Sequence, residues 1–201
     1  MSRRCVDTLL VLLAATLGGC ASAPPAPEPT AVVPVDPVAA VEQFDRAVTL
    51  LGAGDLELAI RELKALSDAY PEYSGPLVNL GIAHLKSGQI ADAERAFTAA
   101  IERNPGNAAA YNQLGILHRQ QGRFKEADAA YSRAIAIAPD YALAHLNLGV
   151  LCDLYLQQPE RALDQYERYM ALTGTPEPKV TAWIAELRSR LGSSRTARIE
   201  R

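Results

Sequence analysis

The sequence predicts an all-α protein, a helical solenoid of about four helix–turn–helix repeats closed by one further helix. Three observations carry that prediction. Small, aliphatic and turn-forming residues recur every 34 positions through the middle of the chain. Hydrophobic residues make up 49% of the 201 residues but aromatics only 6%, so the apolar content is mostly Ala, Leu, Val and Ile. That composition suits closely packed helices better than a β-sandwich. Near the C-terminus, Val180, Trp183, Ile184, Leu187 and Leu191 form one stripe at helical spacing.

Charge and cysteine content narrow the function classes. Twenty Lys+Arg against 23 Asp+Glu give a net charge of −3, which argues against a nucleic-acid binder. Three Cys make no disulfide framework, and no CxxC or His/Cys spacing suggests a zinc site. Collagen-like, polytopic-membrane and wholly disordered chains are excluded by the same composition.

Residues 1–19 read as a secretory signal. Arg3 and Arg4 supply a positive start, and Leu9 to Leu17 is an apolar run of nine residues. A membrane-spanning helix needs roughly 20 apolar residues for about 30 Å of hydrocarbon, so the run has the length of a signal-peptide core. It ends in Leu17-Gly18-Gly19-Cys20, which resembles the lipobox of bacterial lipoproteins. The resemblance implies diacylglycerol on the Cys20 thiol, cleavage just before it, and acylation of the new amine. Two acyl chains or more on one residue anchor stably where a single chain is marginal. Ser22 stands where an inner-membrane retention signal would have Asp, so the resemblance implies the outer membrane, facing the periplasm. A general secretory signal with an incidental Cys is the alternative.

Residues 20–39 form the expected tether. Six prolines fall in the nineteen residues from Ala21 to Ala39. Proline lacks the N–H and fixes φ, so helix or central strand is not expected there. A polyproline-type spacer of about 3.1 Å per residue reaches roughly 60 Å.

The repeats are expected at 40–73, 74–107, 108–141 and 142–176. Leu80-Gly81, Leu114-Gly115 and Leu148-Gly149 share a column, as do Gly54, Gly88 and Gly122. Three more columns follow: Ala59, Ala93, Ala127; Leu63, Phe97, Tyr131; and Pro71, Pro105, Pro139. Gly88 and Gly122 suit the left-handed end of a first helix, and Pro105 and Pro139 stop the second. Gly81, Gly115 and Gly149 are expected to let the two helices of a repeat approach, with Ala93 and Ala127 opposite and the aromatics wedged between neighbours. The pattern resembles the tetratricopeptide repeat, which implies a right-handed solenoid whose first helices line a concave groove.

Departures from the period mark the ends. Arg46 and Ala47 replace Leu-Gly in the first repeat, so its outer face looks like an end. The fourth repeat carries one extra residue near Gln157-Gln158-Pro159, which moves its column to Ala162 and Tyr166 and its closing proline to Pro176. Residues 177–192 are expected to cap the last apolar face, as a solenoid requires. Residues 193–201 are expected to be a disordered tail.

No catalytic constellation emerges. His84, His118 and Cys152 share one column, but equivalent positions sit on helices separated by another helix. Neighbouring axes are about 8–10 Å apart, whereas zinc bonds are about 2.0–2.3 Å. His145 precedes Cys152 by two turns, about 10 Å along the axis. No HExxH, GxSxG, P-loop or dinucleotide glycine motif is present. The expectation is a non-enzyme with no metal and no cofactor; the rival is an enzyme using Cys152 or the His column.

A binding surface is better marked. Asp45, Asn79, Gln113 and Asn147 occupy the column before Leu-Gly, flanked by Phe44, Val78, Asn112, Leu146 and by Leu51, Leu85, Arg119, Asp153. An amide can pair with both an N–H and a C=O of a bound main chain. The amide column resembles the asparagine ladder of protein O-GlcNAc transferases; the alternative is that these amides only cap or bridge helices. The Lys/Asn/Arg clamp of chaperone-binding repeats is not matched. The whole layout resembles pilotin-type lipoproteins of type IV pilus biogenesis. That implies an adaptor that binds a protein segment in its groove and assists assembly of a pilus or secretin complex, with no nucleic acid involved. An adaptor for peptidoglycan enzymes or for a TonB-type envelope complex is the alternative.

Overall fold

The computed structural model describes residues 37–199, which lie within one compact unit, Val35–Arg201. The expected signal peptide, Cys20 and the spacer up to residue 36 lie outside the described residues. Within them the chain is helical, with no strand. The helices are α1 (Pro37–Ala53), α2 (Leu56–Ala69), α3 (Gly75–Lys86), α4 (Ile90–Arg103) and α5 (Ala108–Gln120), followed by α6 (Phe124–Ile137), α7 (Ala142–Leu154), α8 (Pro159–Thr173) and α9 (Pro178–Ile199). None is long and apolar enough to cross a membrane.

The helix ends follow the punctuation in the sequence. Gly54, Gly88 and Gly122 take φ of 88°, 78° and 72°, the left-handed conformation that turns each first helix into its second. In the fourth repeat the extra residue shifts this duty to Gln157, at φ 55°, where a side chain is strained. Helices α2, α4 and α6 stop one or two residues before Pro71, Pro105 and Pro139. Helix α8 ends instead at Gly174, φ 64°.

Two boundaries differ from expectation. Helix α1 begins at Pro37, inside the expected tether, because proline is well tolerated at a first helical position whose N–H has no partner anyway. Helix α9 runs on to Ile199 where a disordered tail was expected. Beyond Gly192 the sequence holds no further Gly or Pro and includes Arg195, Ala197 and Arg198, all good helix formers.

Packing shows what each repeat glycine makes room for. A Cβ on Gly115 would lie 2.6 Å from the Tyr131 ring, one on Gly149 2.6 Å from the Tyr166 ring, and one on Gly81 would overlap the Phe97 ring. Each glycine therefore has the aromatic of its own repeat as its nearest neighbour. The ring lies flat on bare backbone, which brings α3 to α4, α5 to α6 and α7 to α8. Phe97 and Tyr131 are wholly buried, and Tyr166 is almost so, each burial stabilising by about 1.5–3 kcal/mol. Ala127 shares its cluster with Leu148 and Leu151 of the next repeat, so the alanines serve the repeat-to-repeat joint.

Polar ties repeat along the stack. Arg123 Nη2 donates to Glu94 at 2.9 Å, and Arg161 grips Asp128 with both nitrogens, at 2.6 and 2.9 Å. Asn107 caps α5 by accepting from Ala110 N at 3.0 Å and donates to Ser74 Oγ at 2.8 Å.

Both ends are finished. In repeats two to four, Pro76, Ala110, Ala144 and Ala83, Leu117, Leu151 are buried against the preceding repeat. Their counterparts in α1 are Glu42 and Thr49, both exposed, beside exposed Arg46, which pairs with Glu62 at 3.6 Å. At the other end Val180, Ile184 and Leu187 of α9 are buried against α8, and Glu186, Arg188 and Arg190 face out.

Candidate functional site

Among the described residues, α1 touches α3, α3 touches α5 and α5 touches α7, while α2, α4, α6 and α8 make no such contacts with one another. The stack therefore curves with its first helices inside, and they form one inner wall.

Its middle is an aliphatic row: Val48, Ile82, Ile116 and Val150, one per helix at the same repeat position. Val48 is exposed and the other three are half-buried. The 34-residue step could have found this row, but β-branched residues at helical spacing look like ordinary core. Leu143 and Leu154, 51% and 65% exposed, extend it along α7, and Val41, 60% exposed, extends it on α1.

The amide column runs beside this row with unequal commitments. Asp45 is exposed. Asn79 Nδ2 donates to Gly75 O of its own helix at 3.2 Å. Asn147 Nδ2 donates to Asn112 Oδ1 at 2.9 Å, and the buried Asn112 donates to the Tyr141 hydroxyl at 3.4 Å. That bond joins α5 directly to α7, so Asn112 and Asn147 tie repeats together across the wall. Gln113 is half-buried and its side chain makes no hydrogen bond among the described residues. Of the flanking residues, Val78 and Leu51 are buried, and Phe44, Leu85, Leu146, Arg119 and Asp153 are half-buried.

Two of the three members of the His/Cys column are core, and His84 is half-buried. His84 is held by Gln89. His118 is buried, with Nδ1 unpartnered. Burial and then the nearby Arg123 lower its pKa, and Glu94 and Glu126 only partly oppose them. Cys152 is wholly buried and burial raises its pKa, so it is held as the inert thiol. His145 Nε2 faces Pro139 O at 3.0 Å and so carries a proton, while Nδ1 meets Gln165 at 2.8 Å. Among the described residues no group of three His, Cys, Asp or Glu could hold a metal ion.

Residues 78–142 and 113–174 match the family model described as tetratricopeptide repeat. No curated protein matches the chain. Among solved structures, it is similar to pilF of Pseudomonas aeruginosa, with 21% identity, TM-score 0.69, and coverage of 80% of this chain and 72% of that one. It is also similar to MamA (41-end) from Desulfovibrio magneticus RS-1, with 23% identity, TM-score 0.62, and coverage of 79% and 88%. The first tetratricopeptide domain of Spaghetti (RPAP3), solved bound to the HSP90 peptide SRMEEVD, is 21% identical with TM-score 0.55, over 59% of this chain and 93% of that one. At these identities the likeness is one of fold.

Proposed function

Starting from residues 78–174, which match the tetratricopeptide-repeat model, we propose that the chain is a protein-interaction scaffold that works as a lipid-anchored adaptor. Held to the outer membrane through Cys20 and facing the periplasm, it receives a segment of another envelope protein on its inner wall. It thereby assists assembly of a pilus or secretin-type machine.

The observation that carries this reading is the inner wall itself. The aliphatic row Val48, Ile82, Ile116, Val150 keeps accessible surface beside Gln113, an amide with no partner among the described residues. Apolar side chains of a bound segment fit the row, and Gln113 can take a main-chain N–H and C=O together. The Leu17-Gly18-Gly19-Cys20 motif supports the anchor. The fold likeness to pilF and the peptide-bound RPAP3 domain support the scaffold role and peptide capture in turn.

A photo-crosslinking residue at Val48, in cells carrying either Cys20 or Cys20→Ala, tests the reading. The expected result is outer-membrane fractionation and a crosslinked pilus or secretin subunit for the Cys20 form. Cys20→Ala should give a soluble or uncleaved pool without that product. A correctly cleaved Cys20→Ala protein that stays in the outer-membrane fraction would rule out the lipid anchor.

A further inference from the structure

The inner wall also carries a cation that no acid pairs with among the described residues. Asn112, Ile116 and Arg119 fall at i, i+4 and i+7 on α5, one face of the helix. Because Asn112 bonds across to Asn147, that face looks along the wall toward α7. Arg119 is half-buried and enters no ion pair among the described residues. Its Nε is shut off from solvent, and the group beside it is the wholly buried hydroxyl of Tyr131, a neutral neighbour that leaves the charge unpaired.

Two acids of this part of the stack are already paired. Asp153, one repeat further at the same position, accepts from Arg190 at 2.8 Å with only 13% of its side chain exposed. Asp128 is held by both nitrogens of Arg161. Arg123, whose Nε is likewise shut off, differs in pairing with Glu94 through Nη2, and Lys86 donates to Leu51 O. A partly desolvated guanidinium with no anion costs stability, and its planar fork suits a carboxylate in two-point contact. The neighbouring surface is apolar. Tyr155, 43% exposed, neighbours Tyr131 and stacks on Phe124 at 4.7 Å, and Leu154 beside it is 65% exposed.

We propose that Arg119 is a carboxylate subsite of the inner wall. An Asp or Glu side chain of the bound segment pairs with the guanidinium, while an adjacent apolar residue rests on Leu154 and Tyr155. The inference rests on the adaptor reading and narrows its partner to a largely apolar segment carrying an acidic residue at one place. It places the acid at the third repeat, two turns from Asn112, rather than at a chain terminus.

The test uses the full chain labelled with nitrogen-15, observing arginine Nε–Hε cross-peaks during titration with sodium acetate against sodium chloride at constant ionic strength. Loss of a peak in Arg119→Gln assigns it. The Arg119 peak is expected to move saturably, and the exposed Arg95 to drift only linearly. Backbone amide peaks of α5 follow the same titration in Arg119→Lys, which should fold normally and, lacking the fork, bind acetate about tenfold more weakly, the factor that corresponds to 1.4 kcal/mol. An Arg119 peak that moves no further than that of Arg95 overturns the proposal. So does inorganic phosphate saturating the site at about tenfold lower concentration than acetate, which would make it a phosphate site. The titration needs no partner protein, so a negative result beside intact crosslinking at Val48 removes the subsite and leaves the adaptor. Saturable acetate binding without any crosslink removes the adaptor instead.

Discussion

Gly115→Ala should destabilise the protein even though alanine is the better helix former. The new Cβ would sit 2.6 Å from Cδ1 and from Cε1 of Tyr131. Carbon atoms rest at about 3.5–4.0 Å, so the ring or the helix must give by roughly 1 Å. Tyr131 has no exposed surface into which to swing, and Ala127, Leu148 and Leu151 share its cluster. Overpacking of this kind costs about 1–3 kcal/mol, and the helix-propensity gain returns about 0.8–1.0 kcal/mol. With a ring that cannot move aside, the upper part of the range applies, for a net loss of about 1–2 kcal/mol. In a chain of this size that lowers Tm by roughly 2–8 °C. Gly52→Ala is the control: it lies in α1 with no atom within 4 Å of the added Cβ, so it should gain up to about 1 kcal/mol. Urea denaturation followed by helical circular dichroism reads both. In a double-mutant cycle, Tyr131→Leu should recover at least about 0.5 kcal/mol of the Gly115→Ala loss. A Gly115→Ala protein as stable as the parent, with Gly52→Ala behaving as described, would refute the ring-on-glycine packing.

Two further changes test other parts of the stack. Gln157→Gly should stabilise by about 1 kcal/mol, since it removes a side chain from a left-handed position at φ 55°; a lower Tm would show that the Gln157 side chain contributes packing there. Stability should also depend on pH through His118, whose folded pKa lies below the 6.5 of the unfolded chain. The unfolded chain then takes the proton first, so stability is full above pH 6.5 and falls as pH drops from 6.5 toward the folded value. His118→Gln should flatten that part of the curve, and an unchanged slope would contradict the burial assigned to this imidazole.

Much of this fold was legible because repeat positions are fixed by backbone demands. Glycine takes the φ of Gly88 and Gly122 without strain, and proline ends α4 and α6 whatever surrounds them. The partner of each small residue was not legible. Gly115, Ala127 and Tyr131 all recur at one period, and only the packing tells that the Tyr131 ring comes nearest to Gly115. The candidate site was legible as a column but not in its commitments. Asn112 and Asn147 stand 35 residues apart, so their bond crosses columns and escapes a search at the repeat period. Arg119 reads as one more polar groove residue until its neighbours' partners are known. The far end of α9 escaped because a short polar stretch rich in Ser and Arg carries no apolar stripe to mark a helix.

Gln113 offers the most direct test of the groove. Removing Asn79 or Asn147 also removes hydrogen bonds inside the fold, whereas the Gln113 side chain makes none among the described residues. If it holds the main chain of a bound segment, Gln113→Ala leaves a peptide group unpaired in the complex at a cost of about 1–3 kcal/mol. The measurement is the yield of the Val48 crosslink in native membranes, taken with the Tm of the same preparation. The account predicts a loss of about tenfold or more in crosslink yield, with Tm unchanged or slightly raised, because alanine is the better helix former. An undiminished crosslink from a fully folded Gln113→Ala protein would contradict it.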